Sequence, residues 1–404
     1  MLKIFFENSK FRNYLFLSCF SRIGGGIFAM FMMWVIHFQY QNTFYTGLAG
    51  AMFALIAITN FLIGPFVDRH HKISIIRWAC FVQFCVVGAV LFFSVNQQPS
   101  VWLLMPMIFL FSAAGLIKNP AFTALLPKIV TSDDLIKANA FINISTTIAG
   151  LCIGLFLYFA LQNFADFSLV YMTNAAVLFV ALVISMFIKN SETFEQANPA
   201  YFAELKQGLT FVRHGVLAFL VVTLLVWDFS ASAAYVNLPM FAEIHTGEAS
   251  GYIVLAALAM VGGVVGAYIS RILAPKLEIW KILGGTLIAA GITRIIFVNL
   301  ISENFSNAIY MYIFYTGLAA AASLVITTLL QKLPPKGMIA RISTITTSLL
   351  GVTSVLGSLL GGVLGTLLAN VDYIFIIQGA SYIVIGVFVC VPKSIRLLPK
   401  ITEV

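Results

Sequence analysis

Charge is what this chain of 404 residues has least of. Asp, Glu, Lys and Arg make up 9% of it, where a soluble domain carries about 25%. Hydrophobic residues make up 61%, and the mean hydropathy is +0.99. So few charges cannot cover a water-facing surface, which excludes a soluble globular protein and places the chain in a bilayer. Cysteine is also sparse. Cys19, Cys80, Cys85, Cys152 and Cys390 are scattered through apolar runs with no CxxC pair, which argues against a disulfide framework or a zinc site. His70 and His71 are adjacent, point different ways and have no third ligand nearby, so no metal is expected. HExxH, GxSxG and paired carboxylates within the apolar runs are all missing, so neither an enzyme nor a cofactor is expected. The amino end has no short apolar core with a small-residue cleavage site, and no lipidation motif is seen.

What the chain does have is twelve long apolar runs: 12–40, 46–67, 74–95, 101–126, 135–162, 167–188, 216–241, 249–270, 281–301, 306–330, 340–369 and 372–391. Each meets the roughly 20 residues a helix needs to cross the bilayer. Helices satisfy their own backbone polar groups, and the alternation of a membrane barrel is missing. The fold class expected is therefore all-α, with twelve transmembrane helices. Lysine and arginine give the orientation. Of 23 such residues, 21 are assigned to the chain ends and every second loop, from Lys3 through Lys118 to Lys400. The opposite loops hold Asp166, Glu243, Glu248, Glu303 and Asp372. Positive residues stay on the cytoplasmic side, so both termini are expected there. The net charge of +8 is thus a topology signal, and nucleic acid is not an expected partner.

Three ionisable residues remain inside the runs: Arg22, Asp228 and Arg294. Asp228 lies in "TLLVWDFSASAAYV", about 18 Å into the seventh span at 1.5 Å per residue. An ionised carboxylate at that depth costs about 2.5–3.5 kcal/mol. Leaving water favours the neutral acid, so Asp228 is a candidate for reversible proton binding. It could instead be a permanently paired acid that joins helices. Arg22 either faces a cavity and meets an anionic group or Asp228, or snorkels to the cytoplasmic side. Arg294, in the outer half of the ninth span, either faces the cavity or snorkels outward, against the charge asymmetry. His37 either joins a proton path or packs at an interface. Trp34, Trp227, Tyr235, Tyr312 and Tyr315 are candidates for a substrate cavity, although most aromatics in such a chain face lipid or core. In the eleventh span, Gly357, Gly361 and Gly365 recur every four residues and allow a close helix approach.

The two halves echo each other. "GPFVDRHHK" from Gly64 and "GAYISRILAPK" from Gly266 are 202 residues apart, as are Arg69 and Arg271. "TALLPK" from Thr123 and "TTLLQK" from Thr327 are 204 apart. The expected organisation is two pseudo-symmetric six-helix bundles over 1–190 and 215–404, joined by a cytoplasmic linker over 191–214. In the linker, Asn198 and Pro199 start a short amphipathic helix carrying Phe202, Leu205, Leu209 and Val212 on one face.

Twelve helices, a central loop and the Gly-x-x-x-Asp-Arg sequence from Gly64 to Arg69 resemble the major facilitator superfamily. "NPAFTALLPKIVTSDDLIKANAF", "SRIGGGIF", "FAELKQGLTFVRHG" and "LLQKLPPKGMIARIS" are similar to its macrolide-efflux branch, which also holds siderophore exporters and lysophospholipid flippases. Three positions depart from the superfamily's drug/proton antiporters: His71 in place of glycine, Phe111 in place of arginine, and Leu151 in place of proline after Gly150. The resemblance implies a monomeric, multi-pass transporter of the bacterial cytoplasmic membrane. It would export small amphipathic molecules against protons by alternating access, or else move a siderophore or a lysolipid. It also implies a gating role for Gly64, Asp68, Arg69, Arg271 and Arg341, with Asp68 latched near Arg341 at the start of the eleventh span.

Overall fold

Apolar runs of about 20 residues can cross lipid only if their backbone groups are paired internally, and the chain does this with helices. The computed structural model describes residues 6, 8–68, 70–96, 99–130, 134–163, 167–188, 209–210, 213, 215–247, 251–303, 305–334 and 338–400. Among these residues there are no strands, and twelve helices are long and apolar enough to span a membrane.

In chain order the helices are α1 (Ser9–Tyr40), α2 (Thr43–Leu55), α3 (Asn60–Asp68), α4 (Lys72–Asn96), α5 (Val101–Leu125), α6 (Leu135–Asn163), α7 (Ser168–Met186) and α8 (Gly215–Tyr235). They continue with α9 (Leu238–Thr246), α10 (Gly251–Leu273), α11 (Ile279–Ile301), α12 (Phe305–Lys332), α13 (Ile339–Leu367), α14 (Asp372–Val389) and the short α15 (Lys393–Arg396). Asn42 caps α2, its side chain accepting from the Phe44 N–H at 2.9 Å.

Two spans expected to be continuous are interrupted. The second tightens into a 3-10 turn over Ile56–Thr59, between α2 and α3. Gly351 packs against the backbone of Ala57 and Ile58 there, and a Cβ at Gly351 would collide with it. The seventh span, expected to run to residue 241, breaks after Tyr235 and resumes as α9. Pro239 sits in the first turn of α9, where its missing N–H costs nothing. Asn237 at the break donates from Nδ2 to the carbonyls of Ala233, at 2.9 Å, and Gly361, at 2.8 Å.

The chain divides into two units. One comprises Met1–Ile36 and Thr59–Pro199; the other comprises His37–Ile58 and Ala200–Val404. In the first, α4 packs against α5 and α7. Its core includes Phe11, Tyr14, Leu17, Ile76 and Phe122, with the Tyr14 hydroxyl donating to the Phe122 carbonyl at 3.0 Å. In the second, α10 packs on α12, α11 on α12 and α14, and α13 on both α2 and α8. The helices also expose large apolar side chains such as Trp78, Phe92, Trp102 and Tyr310. A band of that kind suits hydrocarbon and would be a liability in water.

The glycines of α13 explain how it serves two neighbours. Gly357 and Gly361 face the backbone of Phe229 and Ala233 on α8, where any added Cβ would strike a carbonyl oxygen. On the adjoining face, Gly362 meets Gly47 of α2 backbone to backbone. Small residues let helices approach this closely in lipid, where packing takes over from the hydrophobic drive.

Candidate functional site

Asp228 stands thirteen residues after Gly215, the start of α8, and is half-buried. Its Oδ2 accepts from two hydroxyls of α13, Thr353 Oγ1 at 2.8 Å and Ser354 Oγ at 2.7 Å. Thr353 Oγ1 is also 3.0 Å from the Leu350 carbonyl. A hydroxyl has a single proton to give. Thr353 can therefore turn to Asp228 when the acid is ionised, and to Leu350 when the acid carries its own proton. Both protonation states are satisfied with the same heavy-atom positions. The arrangement exists because α8 and α13 touch along the glycine stripe. Trp227 beside it is buried and meets Tyr382 edge-on at 5.7 Å.

Arg294 is 3% exposed, in the interior of the second unit. Its Nε donates to Gln378 Oε1 at 3.1 Å. The guanidinium lies 4.5 Å from the Tyr315 ring centroid and 4.6 Å from that of Phe375, with Phe297 and Tyr312 slightly farther. Gln378 Nε2 donates on to the hydroxyls of Tyr315 at 3.0 Å and Tyr382 at 3.3 Å. Ring faces offset part of the cost of burying the cation. Three of the candidates from sequence, Arg294, Tyr312 and Tyr315, thus form one aromatic cage, and Arg294 does not snorkel. Tyr235 is half exposed, its hydroxyl 3.3 Å from that of Tyr252.

His37, near the end of α1, is buried and pairs through Nε2 with Glu243 Oε2 of α9 at 2.6 Å. On the same short helix, His245 Nε2 is 2.7 Å from Asp372 Oδ1, at the start of α14. Two imidazole–carboxylate pairs therefore hold α9. Trp34 belongs to the first unit, buried and stacked on Phe31 at 5.7 Å.

Of the residues given a gating role from the resemblance, Gly64 and Asp68 belong to the first unit and Arg271 and Arg341 to the second. Gly64 is within α3, Asp68 closes that helix, Arg271 sits exposed in the last turn of α10, and Arg341 is in the first turn of α13. Arg69, the side chain of Asp68 and nearly all of the linker helix expected over 198–212 lie outside the described residues. Gly266, the counterpart of Gly64, sits at the crossing of α10 and α12, where a Cβ would strike the Gly317 carbonyl.

Lys118, expected in a cytoplasmic loop from the pattern of positive residues, instead lies inside α5, 4% exposed. Its Nζ donates to Gln83 Oε1 of α4 at 2.5 Å, and Gln83 Nε2 donates to the Phe111 carbonyl at 3.2 Å. The lysine in the apolar run "FSAAGLIKNPAF" was the available signal. Proximity to the positive loops masked it.

Residues 14–356 match the Major Facilitator Superfamily, and the chain belongs to that superfamily: it is a multi-pass membrane transporter, not an enzyme. It is 28% identical over 274 residues to YvqJ of Bacillus subtilis (strain 168), an uncharacterized MFS-type transporter. The match spans 62% of this chain and 62% of that curated relative. Among solved structures, the nucleoside transporter NupG has a TM-score of 0.73 at 12% identity, with 94% of this chain and 99% of that one covered. A peptide transporter, POT, gives 0.73 at 13%, with 97% and 96% covered. A bacterial homologue of the iron transporter ferroportin gives 0.67 at 16%, with 94% and 97% covered. Likeness at such low identity shows the fold alone.

Proposed function

We propose that this transporter is a proton-coupled exporter of small amphipathic molecules, of the drug or macrolide kind. It would work by alternating access in the bacterial cytoplasmic membrane, with Asp228 as its proton-binding group. The observation that carries this reading is the pair of hydroxyls on Asp228 Oδ2. A coupling acid must be tolerable in the membrane both charged and neutral. Donors stabilise the ionised form, and the Leu350 carbonyl gives Thr353 a second partner when the acid is neutral. A carboxylate locked to a fixed cation would have no such freedom. Asp228 forms no ion pair among the described residues.

The test is transport by the purified protein in proteoliposomes with an imposed pH gradient, using a panel of drugs, siderophores and lysolipids. Asp228→Asn keeps the shape and removes the titration. Gradient-driven transport should fall to background while exchange of substrate across the membrane persists. Undiminished gradient-driven transport by Asp228→Asn would remove the residue from the coupling role.

A second reading, export of an anionic siderophore or flipping of a lysophospholipid, is favoured by a specific observation. The deep ionisable groups of the first unit are cations, Arg22 and Lys118.

A further inference from the structure

The first six spans, from Ser9–Tyr40 to Ser168–Met186, contain no aspartate or glutamate at all. Two cations nevertheless lie far from the helix ends. Arg22 is about 20 Å along α1 from Ser9, and Lys118 about 15 Å along its span from Lys128, at 1.5 Å per residue. Helix α4 links their surroundings: Gln83 holds Lys118, and Cys80, one turn earlier on the same helix, contacts Ser21, the chain neighbour of Arg22, at 3.9 Å. The group that Lys118 bonds is uncharged: Gln83 Oε1 accepts one of the three ammonium protons. Neither cation forms a salt bridge among the described residues.

Two like charges at this depth repel, and an uncompensated charge inside a bilayer is costly. Snorkelling does not relieve Lys118, because its side chain is 4% exposed and its Nζ is engaged by α4. Arg22 differs in being exposed. The first unit thus has one exposed guanidinium, whose planar fork suits a carboxylate or phosphate, and one buried ammonium, which raises the positive potential in a medium of low dielectric.

We propose that Arg22 and Lys118 form a recognition site for the anionic head, phosphate or carboxylate, of the transported amphiphile. Arg22 contacts the head, and Lys118 holds the field that favours it. Gln83 positions the lysine, its own amide fixed by the Phe111 carbonyl. The site rests on the reading of this chain as an exporter of amphipathic molecules, and it narrows the cargo to those with a negative head.

Binding to the full chain in phosphatidylcholine nanodiscs tests this by calorimetry, with empty nanodiscs as reference. The probes are hexyl phosphate, hexanol and hexyltrimethylammonium, which share one tail and differ in charge. Hexyl phosphate should bind saturably and the other two should not. Arg22→Gln and Lys118→Gln should each weaken it by about tenfold or more, as expected for losing a charged partner. Lys118→Arg should restore most of the loss. Displacement of hexyl phosphate by inorganic phosphate at equal concentration would overturn the amphiphile assignment and leave a free-anion site. Binding suppressed when phosphatidylglycerol replaces part of the lipid would show that a lipid head reaches the same charges, as the proposal requires of a lysolipid-like cargo. Equal binding of all three probes, or unchanged binding in Arg22→Gln, would overturn the site. If Lys118→Gln does not fold, Arg22→Gln and Lys118→Arg decide alone. Probe binding and proton-driven transport are separate measurements, so this site and the coupling role of Asp228 can fail independently.

Discussion

Asp228 and Arg294 are both ionisable residues in membrane-spanning helices, and their surroundings assign them opposite characters. Arg294 is enclosed by aromatic rings and held by Gln378, an arrangement suited to a permanent charge. Gln378→Leu would strand the guanidinium and two tyrosine hydroxyls. A loss of about 1–3 kcal/mol is expected, the cost of an unsatisfied buried polar group, read as a lower Tm in detergent. Asp228 is half-buried and held by hydroxyls that can turn. Thr353→Val with Ser354→Ala removes both donors to the ionised acid. Net gradient-driven transport should slow by about tenfold, the scale of a charged hydrogen bond, with substrate exchange less affected. Equal slowing of both would point to packing damage instead. The positions of Asp228 and Arg294 inside spans were legible in the sequence. Their partners were not, because Thr353 is 125 residues away from Asp228 and Gln378 is 84 residues away from Arg294. Lys118 shows the converse: its place in an apolar run was legible, but only the contact with Gln83 distinguishes a buried lysine from one reaching a loop.

At the scale of the helix, the glycine spacing of α13 announced a close contact without naming its partner. The structure supplies two partners, α8 through Gly357 and Gly361, and α2 through Gly362. Gly361→Val would push a branched side chain into the Ala233 carbonyl. Overpacking of this kind costs about 1–3 kcal/mol, and the backbone has no rotamer to yield, so the upper end is expected. Gly263 of α10 has open space where a Cβ would stand. Gly263→Ala should leave Tm unchanged or raise it, in line with a helix preference of up to about 1 kcal/mol. Similar losses in both variants would rule out α8–α13 contact as the cause. The break between α8 and α9 was less legible. Pro239 signalled a helix start, yet the apolar run continued through it, and hydropathy alone cannot separate one helix from two. What fixes the break is Asn237, whose amide satisfies carbonyls on both α8 and α13.

For the whole molecule, the asymmetry of lysine and arginine predicts that both ends of the chain face the cytoplasm. A fluorescent protein fused after residue 400 should then mature and glow, whereas alkaline phosphatase at that position should be inactive. A phosphatase inserted at Gly247, which ends α9 with a positive φ of 71°, should be active. The reverse pattern would invert the topology. The same asymmetry gives meaning to α9. Its two histidine–carboxylate pairs, His37–Glu243 and His245–Asp372, join it to the end of α1 and the start of α14, on the side the positive residues avoid.

The amino-acid order by itself determined the membrane setting and the number of spans, which follow from local hydropathy, and pointed to a likeness between halves through short segments repeated 202 and 204 residues apart. It also isolated Arg22, Asp228 and Arg294 as charges that lipid would not tolerate without cause. Only the tertiary structure decided what each charge meets. The hydroxyls at Asp228 come from a helix remote in sequence, the ring cage at Arg294 draws on α11, α12 and α14, and Lys118 is held by the preceding helix α4; in each case a side chain's electrostatic environment is set by what packs against it.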